Sequence, residues 1–166
     1  VGSLGVGNVK MRSGRAEIRF GADADALHVL ILHMALGRRG RLRQIEFLTE
    51  LVRDYRHVIL MGDLNCGSDS PEMSVLLTTA RLREPAPGLY TFPSWRPDRQ
   101  LDHILVSPSI AVERVAVLNH AYSDHLPIAM EVQLPEGVRL IGDLRLAAPL
   151  ALDTPGLIPV EPPVVP

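Results

Sequence analysis

Cysteine is nearly absent from this 166-residue chain. Cys66 stands alone, which excludes a disulfide framework within the chain and suits a reducing compartment such as the cytoplasm. No run of about 18 apolar residues occurs, so the sequence shows no membrane-spanning helix. An excess of one charge is lacking too: 17 Lys and Arg stand against 19 Asp and Glu, for a formal net charge of −2. A protein that gripped nucleic acid mainly through its phosphate backbone would be strongly basic, and this balance argues against one. A phosphate-bearing substrate held by a few local groups stays open. The length fits one domain with its own core and is too short for two. The first residue is Val1 rather than Met, as expected of a processed, trimmed or partial chain.

What is present alternates between strand and helix patterns. "RAEIRF" (15–20) alternates charged and apolar residues, as a half-buried strand does, while "ALHVLILH" (26–33) is the near-continuous apolar run of a buried strand. In "GRRGRLRQIEFLTELVRDY", Leu42, Ile45, Leu48, Leu51 and Val52 recur at helical spacing. "HVILMGD" (57–63) reads as a second buried strand. "PEMSVLLTTA" (71–80) reads as a short helix with Ser70 as its N-cap and Pro71 in its first turn. Three further strands are expected in 100–107, 111–118 and 126–134, which together make an α/β domain. The glycine-rich start through "VGSLGVGNVKMRSG" is expected to be irregular with one short strand. Seven of the 14 prolines fall in the last 32 residues. We therefore expect a domain over 1–134 and a Pro-rich tail over 135–166, extended or without a packed core.

Three acidic strand ends carry the chemistry. In "GDLN" (62–65) an apolar strand delivers Asp63 and Asn65 to its carboxyl end, where α/β sheets usually bind ligands. Strand alternation would turn both to one side, one to accept a proton and one to donate a hydrogen bond; a plain turn is the alternative. In "LDH" (101–103), Asp102 stands among apolar residues and needs a partner, either an arginine or something more specific. His103 would point to the opposite face. In "SDHLP" (123–127), Asp124 and His125 precede an apolar strand. Asp102 with His125 would make a carboxylate–imidazole couple that fixes the ring tautomer and favours its protonated form. His33 closes its strand as a candidate phosphate ligand or a plain edge residue, whereas His28, His57 and His120 read as structural. Arg38, Arg39, Arg41 and Arg43 open the long helix, either attracting an anion there or forming a solvated face.

The order of these elements resembles the endonuclease/exonuclease/phosphatase superfamily. The likeness runs from about residue 26 to residue 134: a strand ending in His33, Arg41-x-x-Gln44, "GDLN", "TFPSWRPDRQLDHILVS", then "SDHLP". It implies a deoxyribonuclease-like α/β sandwich of two mixed β-sheets flanked by helices, and a metal-dependent phosphodiesterase, nuclease or phosphatase. It further implies that Asp63 orients or deprotonates the attacking water and Asn65 bonds the phosphate. Asp102 would support His125, His125 would contact a phosphoryl oxygen, and His33 would bind phosphate or act as an acid. Asp124, with Asp63 and Asn65, would lie at Mg²⁺, or Mn²⁺ in its place. Oxygen donors suit such hard cations, and there is no Cys/His cluster for zinc.

One departure is evident. The family's upstream Gln-Glu strand, whose Glu is the main metal ligand, has no counterpart here, since only Glu17, Asp23 and Asp25 precede the 26–33 strand. The chain is therefore expected to be the C-terminal portion of such a domain, with apolar surface left for association with another chain. The substrate class stays open among nucleic acid, phospholipid and inositol phosphate. A catalytically inactive remnant of the same fold is the alternative.

Overall fold

The structure is a computed structural model that describes residues 7–12, 15–21, 25–138 and 158–159. Its larger sheet holds β1 (Gly7–Arg12), β2 (Arg15–Phe20), β3 (Leu27–His33), β4 (His57–Asp63) and β5 (Asp102–Val106), hydrogen-bonded in that order. Only β3 and β4 run parallel; the other neighbours are antiparallel. A parallel pair needs a crossover, and helix α1 (Arg38–Val52) provides it. A second helix, α2 (Pro71–Thr79), follows β4, with the Ser70 hydroxyl accepting from the Met73 amide as its N-cap. The smaller sheet places β6 (Ala111–Val117) between β7 (Ile128–Gln133) and β8 (Ile158–Pro159). The expected sandwich is present, with one refinement: the larger sheet is mixed and the smaller is antiparallel among the described residues. Most of the Pro-rich tail lies outside the described residues, apart from 135–138 and the two residues of β8.

Strand periodicity divides the larger sheet into two working faces. Leu30 and Leu32 of β3, Val58 and Leu60 of β4, and Leu105 of β5 pack with Ile45, Leu48 and Val52 of α1 and Met73 and Leu76 of α2. On the other face, Leu27, Ile59, Ile104 and Val106 meet Ile128, Met130 and Val132 of the smaller sheet. Leu30, Leu60 and Leu105 are fully buried, each contributing about 1.5–3 kcal/mol of transfer free energy. Both cores are needed to pin the register. A slip of one residue would exchange the two apolar sets and put every polar strand end on the wrong side.

Gly62 is the tightest point in this sheet. It pairs with Leu32 and adopts φ +134°, and a Cβ there would lie 1.9 Å from the Leu32 carbonyl oxygen. No flexible side chain can move aside, because the obstacle is backbone. Gly62→Ala is expected to cost about 3 kcal/mol or more in chemical denaturation, through overpacking and an unfavourable φ together. A loss below about 1 kcal/mol would show that β3 and β4 tolerate separation at this point.

Candidate active site

Three of the candidate residues become neighbours through register alone. The parallel pairing sets His33 beside Asp63, and the antiparallel pairing sets Asp63 beside Asp102. Each is in phase with the residues of its strand that face the smaller sheet, so the three form a row at one end of the inter-sheet face. His33 Nε2 lies 3.5 Å from Asp63 Oδ2; His33 is well exposed and Asp63 mostly enclosed.

Asn65 reaches this row by a different route from the one expected. β4 ends at Asp63, and Asn65 sits at φ 52°, in the left-handed region that Asn tolerates better than most residues. Strand alternation therefore does not apply to it. The chain turns back so that the Asn65 amide N–H donates to Asp63 Oδ1 at 2.9 Å, while its side-chain Nδ2 donates to the Met34 carbonyl at 2.8 Å. Turn and site are thus the same object here. One hydrogen on Nδ2 and the Oδ1 atom stay available for other partners.

His125 comes from the loop before β7 and joins the row through Asp102. Its Nδ1 donates to Asp102 Oδ2 at 2.7 Å, and the buried Thr91 hydroxyl donates to the same oxygen. Its Nε2 makes no hydrogen bond among the described residues. Burial of the ring works against its charge. The bond to Asp102 and the charges of Asp102, Asp63 and Asp124 outweigh it, so the pKa of His125 is raised above its ordinary 6.5. Asp124 is exposed at the outer edge of the same loop.

Residues that sequence reading had not singled out hold these loops together. The Ser94 amide donates to the Asp124 carbonyl, the Ser94 hydroxyl donates to the Ser123 carbonyl, and the Phe92 ring lies 4.8 Å from the His125 ring. Thr91, Phe92 and Ser94 fall within "TFPSW", so their place in that motif was the available signal. The arginine cluster divides. Arg38, Arg39 and Arg43 are exposed, but Arg41 is not part of a solvated face. Arg41 donates to buried Glu72 at 2.7 Å and to the carbonyls of Ala35 and Leu36, while Gln44 Oε1 accepts from the Ala35 amide. The Arg41-x-x-Gln44 element therefore grips the segment that leaves His33. The hydrogen bond from Arg41, ahead of the helix-end amide, holds the Glu72 carboxyl below its usual range. Elsewhere, His28 stacks on Tyr55 beside Glu17, His57 bonds Ser109, and exposed His120 stacks on Tyr122.

The donors on the rim are oxygen atoms of Asp63, Asp124 and Asn65, the chemistry that Mg²⁺ prefers. Among the described residues no group of three or more His, Cys, Asp or Glu is placed to hold a metal ion. No helix among the described residues is long and apolar enough to cross a membrane.

The sequence model of the Endonuclease/Exonuclease/phosphatase family matches residues 25–125. An endonuclease/exonuclease/phosphatase family protein from Bacteroides thetaiotaomicron superposes with a TM-score of 0.60 at 22% identity, over 71% of this chain and 54% of its own. A mannosyl-6-phosphatase from the same species gives 0.60 at 23% identity, over 72% and 56%. The human nocturnin catalytic domain gives 0.57 at 14% identity, over 72% and 52%. Such identities establish a shared fold, and the chain spans about half the length of these structures. No curated protein matches the chain.

The Asp102–His125 couple has a measurable signature. Asp102→Asn is expected to bring the His125 pKa down towards or below 6.5 in an NMR titration without added metal, because it removes the hydrogen bond's charge and the nearest carboxylate. Since the native pKa is raised, the couple's contribution to stability is complete below pH 6.5 and is lost as pH rises through the native value. An unchanged His125 titration in the variant would mean that Asp102 does not govern this ring.

Proposed function

Because the chain belongs to the endonuclease/exonuclease/phosphatase family, we propose that it carries the phosphate-binding rim of a Mg²⁺-dependent phosphoester hydrolase in which water attacks phosphorus. The observation that carries this reading is the Asp102–His125 couple standing beside Asp63 on one rim. A hydrolase of this kind needs a carboxylate to take a proton from water and a cationic donor facing the phosphoryl oxygens, where negative charge grows in the transition state. Asp63 is the carboxylate: its Oδ1 is held by the Asn65 amide, so its direction is fixed before substrate arrives. His125, whose acidic neighbours favour its protonated form, donates from Nε2 to a non-bridging oxygen.

Water then gives its proton to Asp63 as its oxygen bonds phosphorus, and the ester oxygen departs with the bonding pair. His33, on the other side of Asp63, is the group available to bind the phosphate or protonate the departing oxygen. Asn65 offers its remaining amide hydrogen to the phosphate. Asp124 and Asp63, with Asn65, are the residues that would hold Mg²⁺ or Mn²⁺, which when bound supplies positive charge beside the phosphoryl oxygens.

The balanced net charge and the absence of a basic surface signature disfavour a substrate bound chiefly by backbone charge. A compact phosphate ester, such as a nucleotide end, a phospholipid head group, an inositol phosphate or a sugar phosphate, needs only the local groups of the rim. The chain's match to about half the length of its structural relatives supports a supplementary role for a further segment or a second chain. Ile31, 41% exposed on the inter-sheet face, is the kind of surface it would cover. The second reading is an inactive portion of the same fold, in which no group of three or more His, Cys, Asp or Glu among the described residues is placed to hold a metal ion.

Mg²⁺-dependent hydrolysis of bis-p-nitrophenyl phosphate separates the two. We expect turnover that EDTA abolishes and that falls by about 10²-fold or more in Asp63→Ala and in His125→Ala. Turnover that survives both substitutions would overturn the assignment, and its absence from the wild-type chain would favour the inactive reading.

A further inference from the structure

The Asp102-His103 dipeptide works on both faces of β5. Asp102 serves the rim, while His103 points the other way and is fully buried. Its Nε2 lies 2.8 Å from the Cys66 carbonyl oxygen, and its Nδ1 lies 2.7 Å from Glu84 Oε1 and 3.3 Å from Gln100 Nε2. A carbonyl can only accept, so Nε2 carries a hydrogen. Gln100 Oε1 accepts from the Gly88 amide at 2.6 Å, which fixes the orientation of the Gln100 amide and makes its Nε2 a donor to Glu84 at 2.8 Å. The Ser68 hydroxyl lies 2.9 Å from Gln100 Oε1 and 3.1 Å from Glu84 Oε1, so its one hydrogen is shared between them. A short hydrogen bond thus joins Glu84 to His103 inside a closed set of polar groups behind the rim.

We propose that this buried, hydrogen-bonded Glu84–His103 pair is the positioning couple for the loop after β4, the loop that carries Asn65. It acts from behind the rim: His103 holds the Cys66 carbonyl, one residue after Asn65, and Glu84 holds Ser68 at the loop's far side. Asn65 in turn bonds Asp63 and Met34, so the couple fixes the strained left-handed residue that joins the β3 and β4 ends of the site. Asp102 and His103 are thus adjacent residues that fix two different site loops from opposite sides of one strand. The kinetic part of this inference rests on the proposed hydrolase activity; the placement of the loop does not.

The test is nitrogen NMR on the wild-type chain and on Glu84→Gln, with thermal unfolding to monitor the fold and bis-p-nitrophenyl phosphate turnover in parallel. In Glu84→Gln, the Asn65 backbone and side-chain amide signals are expected to shift while the His125 titration stays as it was. Turnover should show kcat falling about 10-fold with KM within about 2-fold, the mark of a misplaced group that acts in the transition state. Asn65 signals that do not respond to Glu84→Gln overturn the proposal. If the wild-type chain does not hydrolyse the ester, the hydrolase reading fails while the NMR measurements still decide this one. Where Glu84→Gln does not fold, Ser68→Ala removes the contact between Glu84 and the far side of the loop, and unchanged Asn65 signals in that variant overturn the proposal.

Discussion

Backbone hydrogen bonding among β3, β4 and β5 is the constraint on which the rest of the molecule depends. Each ladder fixes which residues stand opposite one another, and the two apolar faces of the sheet forbid any register but one. From that register His33, Asp63 and Asp102 acquire adjacency. The close approach of Gly62 to the Leu32 carbonyl belongs to the same constraint: the strands come together most tightly one residue before Asp63. A side chain at that position would separate the strand ends that the site needs adjacent.

Around this row the protein spends its polar groups on orientation. Thr91 and His125 share one oxygen of Asp102, Asn65 secures one oxygen of Asp63, and Arg41 with Gln44 secures the segment beyond His33. Buried ionic groups are costly unless fully partnered, and here the partners are backbone carbonyls and amides of the loops themselves. Glu72 and Arg41 illustrate the exchange. The ion pair joins two charges in a mostly enclosed place, and the arginine's other contacts hold two residues of loop, Ala35 and Leu36. Cys66, by contrast, meets His103 through its carbonyl. Burial pushes its thiol pKa up, which leaves the sulfur as a small apolar part of the helix-side core.

The electrostatics of the rim are lopsided by design of the fold. Asp63, Asp102 and Asp124 all act on one imidazole, and together they overcome the penalty of enclosing it. A substrate phosphate would enter a place where carboxylates outnumber permanent cations. That is a reason for a divalent cation in the proposed chemistry, and for expecting weak anion affinity without one.

Much of this was legible from the residues in order. The buried runs 26–33 and 57–63, the amphipathic period of 37–55 and the Ser70-Pro71 helix start each declare an element locally, because apolar period and cap chemistry are properties of neighbours in the chain. The acidic strand ends and the His125 loop were visible for the same reason: polar residues interrupt apolar runs there. Asn65 was misplaced because alternation assumes a strand that continues, and β4 stops at Asp63. Arg41 was misjudged because its buried partner, Glu72, lies 31 residues away on another helix. Nothing within the "LDH" stretch reveals that His103 faces Glu84, or that Thr91 shares Asp102 with His125. The sequence by itself determined which segments became strands and helices and which residues could ionise. Tertiary structure alone decided which of those residues meet, since a hydrogen bond between positions distant in the chain depends on how sheets and helices close over one another.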